Sequence, residues 1–174
     1  MPDFAIRPAN LDDASELSAF AARTFSDTFS TLNTSDDMAA HLRSAYSTTQ
    51  QRAEIASPQM RTLLGERGDR LCAYAQLRIG ATPGCVPPSP TIELWRFYMD
   101  KSEIGNGTAR ELMAAVLDEA AKHAVGTIWL GVWEHNLRAI AFYRKHGFHD
   151  IGSHVFRLGS DEQTDLIFCR PLVI

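Results

Sequence analysis

At 174 residues, 45% of them hydrophobic and 22% charged, the chain has the size and composition of one globular domain able to bury its own core, which excludes disordered and fibrous classes. Seventeen Lys and Arg against 21 Asp and Glu leave a net charge of -4, so nothing draws it generally to nucleic acid or to an anionic membrane. Cys72, Cys85 and Cys169 are odd in number and lack CxxC or Cys/His spacing, which argues against a zinc site or a disulfide framework and fits a reducing, cytoplasmic setting.

The opening MPDFAIRPANLDD has neither a basic start nor an apolar run, and no stretch reaches bilayer-spanning length, so neither secretion nor membrane insertion is expected. Phe4 to Pro8 reads as a short strand. Asp12 or Asp13 can cap the next helix, where Leu17, Phe20, Ala21 and Phe25 recur at helical spacing. Thr34-Ser35-Asp36-Asp37 resembles a capping box and precedes Met38, Leu42 and Ala45 on one face, the sign of a second helix. Arg61 to Gly65 and Leu71 to Ile79 are strand-like runs around Glu66-Arg67-Gly68-Asp69-Arg70, a hairpin signature. Gly80 to Pro90, with four prolines and two glycines, can sustain neither helix nor central strand and reads as an exposed loop.

Thr91 to Met99 alternates and is rich in aromatics, as a strand should be, and Leu112, Met113, Val116, Leu117 and Ala120 mark one stripe of a helix. Thr127 to Val132 supplies a buried strand and Asn136 to His146 another helix. Phe148 to Leu158 and Thr164 to Arg170 close the chain as strands around Gly159 to Gln163. With no repeat or composition break, residues 1–174 read as a single domain. The fold class is α+β, in the order βααβββαβαββ, with helices on both faces of one central sheet.

Between strand and helix lies Ile104-Gly105-Asn106-Gly107-Thr108-Ala109. A helix that starts on a glycine-rich turn presents unpaired N–H groups and the positive end of its dipole, which favours an anion such as a diphosphate. Arg110 and Lys101 can add charge nearby; the alternative is that the two glycines only make a tight connection. The P-loop pattern GxxxxGKS/T is absent, and a dinucleotide fingerprint would want a small residue where Arg110 stands.

The second constellation is VWEHNLRAIAFYRKHGF, Val132 to Phe148. A glycine turn opening a helix, a short strand, then N-x-x-A-x-x-F-Y-x-x-x-G-F resembles the GNAT superfamily of acetyl-coenzyme A dependent N-acetyltransferases. The family's phosphate motif, Gln/Arg-x-x-Gly-x-Gly/Ala, aligns with Ile104 to Ala109, with Ile104 in place of the usual Gln or Arg. The second motif aligns with Asn136, Ala139, Phe142, Tyr143, Gly147 and Phe148, and Glu93 to Asp100 looks like the family's central fourth strand. The resemblance implies a mixed, mostly antiparallel sheet splayed between its fourth and fifth strands, with acetyl-coenzyme A as co-substrate and no metal.

It also implies roles. The backbone at Phe97, Tyr98 and Met99 would pair with the pantetheine arm and steady an oxyanion; Gly105, Asn106, Gly107, Thr108 and Ala109 would hold the diphosphate. Asn136 would contact the cofactor or simply cap its helix, and Lys145 would meet phosphates or water. Tyr143 matches the tyrosine that protonates the departing sulfur, and Glu93 stands where family members often keep a glutamate that works as a base through water. The six histidines show no metal spacing and read as structural or solvated, and Trp95, Trp129 and Trp133 as core or cleft residues.

The stretch Thr24 to Leu42 looks like bacterial polyamine acetyltransferases of the PaiA type, which would use Asp27, Asp36, Asp37 and Glu93 for a polyvalent cation; Asp36 and Asp37 can equally just cap a helix. Other primary amines stay open as acceptors, and the resemblance is compatible with a homodimer. The main alternative is a catalytically weak GNAT fold that binds coenzyme A as a sensor or interaction module, for which Ile104 speaks; a more distant one is an unrelated phosphate-binding α/β domain.

Overall fold

The computed structural model describes residues 3–29, 35–80, 82–86, 90–158 and 161–172. Strands β1 (Phe4–Pro8), β2 (Met60–Arg67), β3 (Arg70–Ile79), β4 (Thr91–Met99), β5 (Thr127–Trp133), β6 (His149–Leu158) and β7 (Asp161–Pro171) form one sheet in the order β1-β2-β3-β4-β5-β7-β6. Only β4 and β5 run parallel; every other pair of neighbours is antiparallel. The helices are α1 (Ala14–Phe29), α2 (Ser35–Ala45), α3 (Thr48–Ala56), α4 (Thr108–Ala121) and α5 (Leu137–Lys145).

Two apolar clusters sandwich the sheet. On one face, Leu17, Phe20, Ala21 and Phe25 of α1 and Met38 of α2 pack on Leu64, Leu71 and Tyr74. On the other, Leu112, Met113, Val116 and Ala120 of α4, all fully buried, meet Ala73, Ala75, Leu77, Ile92, Leu94, Ile128 and Leu130, with Ile140 and Tyr143 of α5 beside them. Each such Leu, Ile or Val contributes about 1.5–3 kcal/mol through the apolar surface it removes from water. The expected helices on both faces are present.

The third helix, α3, is absent from the periodicity reading, and its composition explains why. Its most deeply buried residues are Gln51 and Glu54, so it has no apolar stripe to detect. They are buried because they are paired: Gln76 Nε2 donates to Gln51 Oε1 and Glu54 Oε2, both at 3.1 Å, and Arg96 Nη1 donates to Glu54 Oε2 at 2.6 Å. Before α1, the cap is Asn10 rather than either aspartate. Its side chain accepts from the Asp12 N–H at 2.8 Å, while the Asp13 carboxylate accepts from the Asn10 N–H at 2.7 Å.

The first hairpin is tighter than expected, with Arg67 opposite Arg70 and only Gly68 and Asp69 between them, Gly68 at φ 62°. In the Gly80 to Pro90 loop, Val86 is buried against Trp129, Ile167 and Cys169, while Cys85 is exposed. The cap expected at Thr34, loop positions 81 and 87–89, and turn positions 159 and 160 lie outside the described residues. Among the described residues no helix is long and apolar enough to cross a membrane.

Candidate active site

The sheet opens at its centre. Parallel pairing of β4 with β5 covers only Thr91 to Glu93 opposite Thr127 to Trp129, and beyond it β4 pairs with β3 alone. The cause sits in β4: Gln76 faces Arg96 while Leu77 faces Leu94, so Trp95 is an inserted residue, and a bulge of this kind bends and twists its strand. The Asp100 N–H donates to the Cys72 carbonyl at 2.9 Å. Because N–H directions alternate along a strand, Tyr98 turns its N–H to β3, whereas Phe97 and Met99 turn theirs to the open side. Of the three amides expected here, two face the gap and that of Tyr98 belongs to the ladder.

At the end of β4 a short turn over Lys101–Glu103 leads into the glycine junction. Gly105 and Gly107 have φ 89° and 88°, a left-handed backbone that favours glycine. Gly107 is the N-cap of α4 and provides no side-chain cap. Among the described residues, the N–H groups of Gly105, Gly107, Thr108 and Ala109 meet no acceptor in the protein, while those of Arg110 and Glu111 bond the Gly107 carbonyl. A Cβ built on Gly105 meets nothing within 4 Å, so open space lies over the turn. Free donors at the N-terminus of a 14-residue helix with space above them fit a diphosphate.

This turn is braced from below. Glu103, 3% exposed, accepts from Thr108 Oγ1 at 2.7 Å and from Arg67 Nη2 at 2.9 Å, with Arg70 Nη2 at 3.2 Å. The Arg67 hydrogen bond holds its carboxyl below the usual glutamate range, and burial opposes that only partly. Lys101 pairs with Asp27 at 3.4 Å, and Ile104 stands 42% exposed where the family motif has Gln or Arg.

A cavity of about 410 Å³ runs through the splay. Glu93, Phe97, Tyr98, Asn136 and Tyr143 all line it, so the structure brings together the two catalytic candidates and part of the cofactor set. Met99, the junction from Ile104 to Ala109, and Lys145, exposed in the last turn of α5, are not among its lining residues. Asn136 caps α5, accepting from the Ala139 N–H at 3.2 Å, and faces the cavity as well. The Tyr143 ring is held by Phe142, Phe148 and Phe97 at centroid distances of 5.5, 5.8 and 6.3 Å, and burial pushes its hydroxyl well above the usual tyrosine range, so it stays protonated.

Glu93 is not a bare carboxylate. Arg78, directly opposite it in the β3–β4 register, donates from Nε to its Oε2 at 2.7 Å, and the two form an ion pair with Nη2 2.6 Å from the same oxygen. Burial raises the Glu93 pKa and Arg78 works against that rise. The remaining acidic residues expected to gather a polycation do not converge: Asp27 pairs with Lys101, and neither it, Asp36 nor Asp37 lines the cavity.

Four participants had no sequence signal. Arg78 is one; Arg96, locked between Glu54 and the rings of Trp95 and Tyr46, is another. The third is Asp165 of β7, and the fourth is His154 of β6, whose Nε2 lies 3.9 Å from Asp165 Oδ2. His41 and His154 therefore border the cavity, against the reading of all histidines as structural or solvated. Trp95 and Trp133 line it and Trp129 is buried, as expected of core or cleft aromatics. Among the described residues no three His, Cys, Asp or Glu side chains group to hold a metal.

The acetyltransferase (GNAT) family pattern matches residues 26–148. An uncharacterized N-acetyltransferase of Mycobacterium bovis is 32% identical over 163 residues, covering 94% of this chain and all of its own. An uncharacterized N-acetyltransferase of Lactobacillus delbrueckii subsp. lactis is 30% identical over 92% of this chain and 93% of its own. Among solved structures, the PaiA N-acetyltransferase of Thermoplasma acidophilum in complex with coenzyme A superposes with a TM-score of 0.79 at 19% identity, covering 97% of this chain and 99% of that one, a likeness of fold. With the family pattern over most of its length, and with the splayed sheet and glycine junction in place, the chain belongs to the GNAT family of acetyltransferases.

Proposed function

We propose that this protein transfers an acetyl group from acetyl-coenzyme A to a primary amine by direct attack. The junction amides of Gly105, Gly107, Thr108 and Ala109 would hold the diphosphate, with Ile104 and Asn106 as turn residues around it. The N–H groups of Phe97 and Met99 would take the pantetheine arm as an added strand, with Tyr98, Asn136 and Lys145 as flanking contacts. What carries the reading is the cavity between β4 and β5, which reaches the Tyr143 ring past an unpaired strand edge.

In the reaction the amine nitrogen adds to the thioester carbonyl, and one of the N–H groups facing the gap steadies the oxyanion, a contribution of about 3 kcal/mol in comparable sites. The C–S bond then breaks. Of the two protons an ammonium must lose, one leaves for Glu93 through water before attack. Tyr143 gives its own proton to the departing sulfur and recovers the second from the new amide nitrogen.

The test is thiol release from acetyl-coenzyme A with spermidine, an aryl monoamine, an amino acid and a peptide with a free N-terminus. Spermidine has its place through the likeness of Thr24 to Leu42 to polyamine enzymes. Wild type should release thiol in an amine-dependent way and Tyr143→Phe should lose most of it. If no amine raises release above background while coenzyme A still binds, the sensor reading replaces this one.

A further inference from the structure

We propose that Asp165 is the anion that captures the acceptor, and that the acceptor is a monocationic primary amine with an apolar or aromatic body. The inference rests on the transferase reading above and narrows its substrate class. Among the described residues four charged side chains line the cavity: Arg78, Glu93, Arg96 and Asp165. Arg78 cancels Glu93 at 2.6 Å, and Arg96 is cancelled by Glu54, also at 2.6 Å. That leaves one charge, a carboxylate 18% exposed, whose ion-pair partner within 4 Å among the described residues is His154 at 3.9 Å, beyond hydrogen-bond reach. His41 adds no cation, since burial first and Arg96 second push its pKa down.

The placement of that carboxylate has a backbone cause. Asp165 sits on β7 opposite Trp133 of β5, two residues beyond Gly131, which also borders the cavity. A Cβ built on Gly131 would stand 3.3 Å from Asp165 Oδ2 and 3.7 Å from His154 Nε2, so the bare glycine leaves space beside the carboxylate. Burial, opposed by His154, raises the Asp165 pKa, as expected of an anion without a bound counterion. The same cavity is lined by Phe25, Phe29, Tyr46 and Trp133, suited to an apolar body. A polycation would need further unpaired carboxylates along the cavity, and the described lining has none.

The experiment pairs calorimetry on the coenzyme A-loaded protein with initial rates from acetyl-coenzyme A, using phenethylamine, its neutral counterpart phenethyl alcohol, and spermidine. Asp165→Asn should weaken phenethylamine binding and raise its KM by about tenfold or more, leave phenethyl alcohol and coenzyme A affinity within about twofold, and change kcat far less than KM. Gly131→Ala, which crowds the carboxylate without removing it, should shift KM in the same direction. Phenethylamine should bind wild type more tightly than spermidine. The proposal is overturned if wild type does not bind phenethylamine, if Asp165→Asn binds it as wild type does, or if spermidine is the tighter ligand. Thiol release with an unchanged Asp165→Asn sinks this inference and keeps the transferase reading; Asp165-dependent binding without thiol release does the reverse.

Discussion

Arg78 and Glu93 face each other across β3 and β4, and both close contacts of the guanidinium fall on the same oxygen, Oε2, while among the described residues no hydrogen bond falls on Oε1. A base working through water needs one such free oxygen. Burial raises the Glu93 pKa and outweighs the pull of Arg78, so protonation on acidification should reach Glu93 above the ordinary glutamate value of 4.5. kcat, measured against pH at saturating amine, should therefore fall through an acid limb above that value. Arg78→Met removes the group that lowers the pKa, so the limb should move to higher pH; Glu93→Gln should abolish it with kcat down roughly 10²-fold. An unmoved limb in Arg78→Met would detach Glu93 from proton transfer.

Tyr143 offers a cleaner separation of chemistry from fold. Its ring is packed among three phenylalanines while its hydroxyl has no hydrogen-bond partner among the described residues. Tyr143→Phe should keep the packing, leave Tm and coenzyme A affinity nearly unchanged, and lower kcat by about 10²-fold. Since burial lifts the phenol pKa, ionisation of Tyr143 should place no alkaline limb below the ordinary tyrosine value of 10.0. Equal rates for the two proteins would take the proton donor away from this residue.

What could be read from the sequence was what is written locally. Asn136 and Gly107 announce the starts of α5 and α4 because a cap and a left-handed turn depend on one or two neighbouring residues. Tyr143 and the junction were found because their motifs are contiguous. Arg78 and Asp165 were not, because their roles are set across the sheet: Arg78 matters through its register with Glu93, and Asp165 through the missing side chain of Gly131 on another strand. On a strand either residue reads as solvated. Helix α3 escaped for the opposite reason, its buried face being polar and paired with Gln76 and Arg96 far along the chain.

Gly107 tests the junction directly. At φ 88° an L-residue is strained, and Gly107→Ala should cost about 1–3 kcal/mol or force the turn to relax. Either outcome displaces the free amides of Thr108 and Ala109, so KM for acetyl-coenzyme A should rise about tenfold while KM for the amine stays near wild type. A Gly107→Ala protein with unchanged acetyl-coenzyme A affinity would remove the diphosphate from this turn.

Glu103 links the same junction to acid stability. Its carboxyl is held down chiefly by the Arg67 hydrogen bond, so its folded pKa lies below the ordinary 4.5. For an acid with a depressed folded pKa, the stabilisation is fully present above the unfolded value and is lost as pH falls through the folded one. The brace should therefore hold at neutral pH and fail only below pH 4.5. Glu103→Gln keeps the shape but loses the charge facing Arg67 and Arg70, and should lower stability near pH 7 by about 1–3 kcal/mol. In thermal unfolding from pH 7 to pH 3, the gap between wild type and Glu103→Gln should stay constant down to about the ordinary glutamate value, then close. A gap that persists at pH 3 would mean that Glu103 supports the turn through packing and its bond to Thr108, with the ion pairs contributing nothing to it.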